Sequence, residues 1–137
     1  MTEIKNLWVS LTTGDDGTDS NIFFTVNKST NNNEVMEKEI KLPNMPEDEN
    51  EQRRTTTWIL SNPGFTIEQL LSNDRKLYLR SDWTESDANG HCASAMVTAL
   101  GSNGKAYAIV ANANYDKRFS PGDGLTHPLP KNPGCGQ

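Results

Sequence analysis

The chain has 137 residues, 34% of them hydrophobic, and a formal net charge of −5, a size that suits one domain around one core. The acidic balance repels nucleic acid, which is excluded as a partner, and bare anionic lipid, which would need a bridging cation or a local basic patch. No stretch approaches the ~20 apolar residues of a membrane span, and no basic-then-apolar leader precedes the first strand pattern, so a soluble chain without a signal peptide is expected.

Period-two alternation of apolar residues, the mark of a half-buried strand, recurs along the chain. Leu7, Val9 and Leu11 alternate with Trp8, Ser10 and Thr12. Ile22, Phe24 and Val26 alternate with Phe23 and Thr25. A third run places Met36, Ile40 and Leu42 on one face and Glu37, Glu39 and Lys41 on the other. The run Thr55–Leu60 is β-branched and aromatic, which suits a pleated surface. Short runs follow at Leu77–Arg80, at Ala95–Leu100 and at Tyr107–Val110. Turn-forming residues separate them, most clearly Gly101-Ser102-Asn103-Gly104, a hairpin signal. Thr66–Leu71 is the one helical pattern, with Thr66 placed to cap it. The expected fold is all-β, an antiparallel β-sandwich of about eight strands. Residues 1–118 form the domain, and 119–137 read as an irregular Pro/Gly-rich tail, either an extended arm packed on the domain or disordered. Trp8 and Trp58, inside apolar runs, are expected in the core. Cys92 and Cys135 match no metal or redox spacing; reduced thiols are expected, with a disulfide as the alternative.

Carboxylates concentrate in loops. Thr13–Asn21 holds Asp15, Asp16 and Asp19 with Gly14 and Gly17, and Asp82–Gly90 holds Asp82, Glu85 and Asp87. Hard cations such as Ca2+ take six to eight oxygens, and glycine lets a backbone carbonyl turn inward. The plainer alternative is a pair of Asp-Gly turns whose aspartates bond their own backbone. Trp83 lies among these polar residues, either as an anchor for a membrane or partner or folded back on the core. Catalysis is not expected. His91 and Cys92 are adjacent in an extended run and point to opposite faces, and no nucleophile elbow, phosphate loop or zinc-protease motif is present.

The order Leu7–Leu11, Thr12-Thr13-Gly14, Gly17–Asn21, Ile22–Val26 resembles the opening of the polycystin–lipoxygenase–alpha-toxin (PLAT) domain family. Leu77–Arg80, the acidic loop, Met96-Val97-Thr98 and the Gly turn before Tyr107 match its later order, so the resemblance spans roughly residues 4–111. His91-Cys92-Ala93 stands where the family usually has Trp, and Pro43–Arg54 and the segment after Ala111 have no counterpart. The resemblance implies an eight-stranded sandwich that docks to lipid or protein, often beside a separate catalytic domain. Carried over from a phospholipase member, it implies Ca2+ held by the Asp15 and Asp87 side chains and the Gly17 and Ala88 carbonyls, with Asp16, Asp19 and Asp82 in reserve. The functional expectation is a non-catalytic, calcium-assisted module for a membrane surface or another protein. The alternatives are a metal-free interaction domain, such as a toxin partner subunit or inhibitor, and a carbohydrate-binding module.

Overall fold

The computed structural model describes residues 1–14, 21–42, 53–83 and 90–132. In chain order its elements are β1 (Ile4–Thr13), β2 (Ile22–Thr30), β3 (Asn33–Lys41), β4 (Thr55–Ser61), α1 (Ile67–Leu71), β5 (Arg75–Ser81), β6 (Gly90–Gly101), β7 (Ala106–Asn112), β8 (Lys117–Phe119) and β9 (Thr126–Pro128). They form two antiparallel sheets. The first runs β4-β1-β6-β7, with β8 pairing the N-terminal end of β6, and the second runs β3-β2-β5-β9. This is the all-β sandwich that the alternation predicts. Among the described residues no helix is long and apolar enough to cross a membrane.

The inner faces follow the period-two pattern. Leu7 and Val9 of β1 and Val97 and Ala99 of β6 meet Phe24 and Val26 of β2 and Leu77 and Leu79 of β5, all at most 2% exposed. Each such Val, Leu or Phe contributes about 1.5–3 kcal/mol by leaving water. The short helix is closed by a capping box. Gln69 N–H donates to Thr66 Oγ1 at 3.1 Å, and Thr66 N–H donates to Gln69 Oε1 at 2.9 Å, which satisfies donors that a five-residue helix leaves orphaned. Ile67 and Leu70 are buried beneath it.

Two expectations need correction. Met36 is 58% exposed and does not share a buried face with Leu42. A bulge takes up Glu37, because Val26 pairs with Lys38 but Asn27 with Met36. One extra residue turns every side chain beyond it to the other face. Trp8 is 37% exposed and lies on the outer face of the first sheet, because Leu7 and Val9 on either side of it occupy the core. Trp58 does face inward, but it is only partly buried, being on the edge strand β4. Residues 119–132, of the segment read as a packed arm or as disordered, are built into the sandwich. Thr126–Pro128 pairs with β5, Leu129 N–H donates to Leu77 O at 2.8 Å, and Phe119 and Leu129 are 4% and 3% exposed. Prolines are compatible with this, because β9 is an edge strand and needs ladder bonds on one side only.

Tyr115 and Phe119 tie this segment to both sheets. The Tyr115 hydroxyl donates to His127 O at 3.2 Å, and the Phe119 ring meets the His127 ring edge-on at 4.8 Å.

Candidate functional site: the acidic-loop end

Residues 15–20, 43–52 and 84–89 lie outside the described residues, and with them Asp15, Asp16, Gly17, Asp19, Asp87 and Ala88. The described residues that flank these segments lie together at one end of the sandwich. Gly14 N–H donates to His91 O at 2.9 Å, which joins the start of the first segment to the end of the third. Asn21 N–H and Nδ2 donate to Asp82 Oδ1 and Oδ2 at 3.0 and 2.7 Å, and Asp82 N–H donates to Asn21 O at 3.1 Å. These bonds join the end of the first segment to the start of the third. The second segment begins and ends beside them: Leu42 N–H donates to Ile22 O at 2.9 Å, and Arg53 N–H donates to Gly14 O at 3.0 Å. The sheets dictate this arrangement, since β1–β6 and β2–β5 are antiparallel pairs and such pairs bring the end of one strand to the start of the other.

The three segments hold nine of the chain's 18 Asp and Glu residues and no Lys or Arg. Half of the acidic charge therefore belongs to segments rooted at one end.

Asp82 is half-buried, and both its carboxylate oxygens are engaged by Asn21. It is the clamp that holds the two loop bases together. Trp83, next to it, is half-buried with a left-handed backbone, φ +58°, and its N–H donates to Ser81 Oγ at 3.3 Å. That conformation strains a bulky residue by about 1–3 kcal/mol, so the turn at the clamp is held against a local preference. Gly14 leaves room for the His91 ring, which would have to shift for any larger residue. A Cβ there would fall 2.0 Å from His91 Nδ1.

An apolar pocket opens between the sheets at this end, lined by Leu11, Ile22, Trp58, Leu79, Cys92 and Phe119, together with Thr13, Thr56 and His91. Burial pushes the Cys92 thiol up to about 12, and its Sγ donates to Ser94 O at 3.3 Å. Cys92 is a free thiol in the core; Cys135 lies outside the described residues. The neighbouring His91 meets Asp116, with Nε2 2.5 Å from Asp116 Oδ1.

Sequence reasoning selects Asp82 and Trp83 and places Gly14 and Asn21 in the first acidic segment, but it gives Asn21 no carboxylate partner and does not single out Asp116 as the partner of His91. Nothing local signals that Asn21 meets a carboxylate 61 positions away. Among the described residues no group of three or more His, Cys, Asp or Glu is placed to hold a metal ion. No family model, no curated protein and no solved structure matches this chain.

Proposed function

We propose that the chain is a non-catalytic binding module that docks to an anionic membrane surface or another protein through the acidic-loop end, assisted by Ca2+. The observation that supports this reading is the pairing of the loop bases. Gly14 with His91 and Asn21 with Asp82 root two acidic loops side by side, and a third acidic segment starts and ends beside them. Carboxylates gathered from separate loops repel one another, and a divalent cation relieves that repulsion while leaving positive charge to meet a phosphate or carboxylate on a partner. The resemblance to the PLAT family points the same way. In this reading Asp15 and Asp87 supply side-chain oxygens, Gly17 and Ala88 supply carbonyls, and Asp82 serves the loop bases as a clamp.

Thermal unfolding in calcium against chelator, with vesicle co-sedimentation, tests it. A ligand bound only by the folded state stabilises by RT ln(1 + [L]/Kd), about 2.7 kcal/mol at a hundredfold excess over Kd, a rise of roughly 10 °C for a domain this size. Magnesium produces less, because it demands a tight octahedron and keeps its waters. Asp15→Asn with Asp87→Asn removes the rise, and vesicles containing phosphatidylserine sediment the wild type in calcium only. A melting curve identical in calcium and in chelator overturns the calcium step, and binding through a metal-free surface then takes its place.

A further inference from the structure

At the end of the second sheet remote from the acidic loops, the pairing of β5 with β9 builds a small pocket on the outer face. Tyr78 stands opposite Pro128, and Leu129 N–H donates to Leu77 O at 2.8 Å, so the same register brings Lys76 beside Pro130 and Lys131. Parity turns Leu77 and Leu129 into the core and leaves Lys76, Tyr78, Pro128 and Pro130 outward. Asn73, Lys76, Tyr78 and Lys131 are on the walls of the resulting cavity of about 320 Å3, at the small end of the ~300–1,000 Å3 of ligand pockets.

Positive charge is left over here. The charged residues that line the pocket are Arg75, Lys76 and Lys131, with no carboxylate among them. Arg75 is already neutralised: its guanidinium grips Glu37 at 2.8 and 3.1 Å and donates to Asp74 at 2.8 Å. Nearby Glu34 accepts from the Tyr78 hydroxyl and from Asn27 Nδ2. Those two bonds are the main reason its carboxyl sits below the ordinary pKa, and Lys76 adds the smallest part. Lys131 donates one ammonium proton to Ser72 O at 2.7 Å, which leaves two of its three. Among the described residues the exposed Lys76 ammonium and the Asn73 side chain make no hydrogen bond or ion pair. Burial first, then the charges of Lys76 and Arg75, pull the Lys131 ammonium below its ordinary pKa, against Asp74. A strand rises about 3.3 Å per residue, so Lys76 lies about 20 Å along β5 from the Asp82 clamp, more than two Debye lengths at physiological salt. The acidic-loop end therefore does not cancel the two lysines.

We propose that this pocket binds a phosphate monoester, with the Lys76 and Lys131 ammonium groups and the Asn73 amide on the phosphate and the Tyr78 and Pro130 rings against the carbon skeleton. Two ammonium groups on one pocket select a dianion. Above about pH 7 a phosphate monoester carries close to two charges and three acceptor oxygens, where a carboxylate brings one charge. The donors are side chains, because Pro128 and Pro130 have no N–H and the Leu129 N–H is spent on Leu77. The net charge of −5 turns away an extended polyanion, so the ligand is compact, either a soluble ester or the monoester headgroup of a lipid. The site stands apart from the calcium reading, and either can fail alone.

Amide NMR shifts of Leu77, Tyr78 and Leu129 in the full chain, titrated with glycerol 3-phosphate at constant ionic strength, test the site. Chelator is present so that the acidic-loop end plays no part. The shifts are expected to saturate with Kd at or below about 10 mM, and acetate to bind at least about fivefold more weakly. Lys76→Gln is expected to weaken binding about tenfold. Lys131→Gln does the same but also releases Ser72 O, so Lys76→Gln, with an unchanged melting curve, is the deciding variant. Sedimentation with phosphatidylcholine vesicles that contain phosphatidic acid separates the two sources. Lys76-dependent sedimentation that pure phosphatidylcholine does not give supports a lipid headgroup. Saturation by glycerol 3-phosphate without sedimentation supports a soluble ester. The proposal is overturned by neither saturation nor Lys76-dependent sedimentation, by acetate binding as tightly as the ester, or by a folded Lys76→Gln chain that binds like wild type.

Discussion

Replacing Leu129 with Ala removes three side-chain carbons from a site that is 3% exposed, where the chain segment after Phe119 lies against β5. The lost transfer energy and the cavity left behind put the cost at about 2–5 kcal/mol. Leu129 N–H bonds Leu77 O at 2.8 Å, so the backbone is held in place and the site cannot close over the gap, which favours the middle of that range, about 3 kcal/mol. For a domain of this length total stability is of order 7–20 kcal/mol, and the loss lowers Tm by roughly 10 °C. Removing residues 119–137 deletes Phe119 as well, at about 3–5 kcal/mol more, and also uncovers the β5 edge; the product is expected not to fold stably. Urea unfolding followed by fluorescence, with m checked for constancy, gives the numbers. A Leu129→Ala loss below about 1 kcal/mol would refute the reasoning and show that the segment rests on the surface without completing the core.

Two further predictions follow from titrating groups. The Arg80 guanidinium holds the Glu39 carboxyl below its ordinary value, so its contribution to stability is present above the unfolded carboxylate pKa of about 4.5 and is lost as pH falls through the lower folded value. Glu39→Gln is expected to be less stable than wild type near neutrality and to lose less on acidification, read from urea midpoints across the acid range; parallel pH profiles would count against the pairing. Cys92, pushed up to about 12 by burial, stays protonated and shielded. In a Cys135→Ser background it is expected to resist a thiol reagent at mildly alkaline pH until denaturant is added. Stability also falls as pH rises from about 9 toward about 12, where the unfolded chain releases a proton that the folded chain keeps. Rapid labelling of the native protein would mean that the pocket end opens readily.

The sequence alone determines the class of fold. Leu7, Val9 and Leu11, then Phe24 and Val26, then Val97 and Ala99 announce their strands and inner faces, because a residue's direction in a strand depends only on its parity within the run. Thr66 announces its helix for a similar reason, since a capping box closes within four residues. Parity fails where the run is interrupted. The bulge at Glu37 turns Met36 outward, and the choice belongs to the β2–β3 ladder as a whole. It fails again where a strand is recruited for what it covers. Phe119 and Leu129 are isolated apolar residues among prolines and glycines, and only the uncovered side of β5 makes them core. The loop end is divided in the same way. Composition picks out the acidic segments, because charge density is a local property. Their common root is decided by the antiparallel pairing of β1 with β6 and β2 with β5. The Asn21–Asp82 clamp spans 61 positions, and the first sheet sets β1 between β4 and β6, two strands far from it in sequence. Both depend on which strands become neighbours, and that is settled by burying two sheets against each other, a condition that no window of sequence contains.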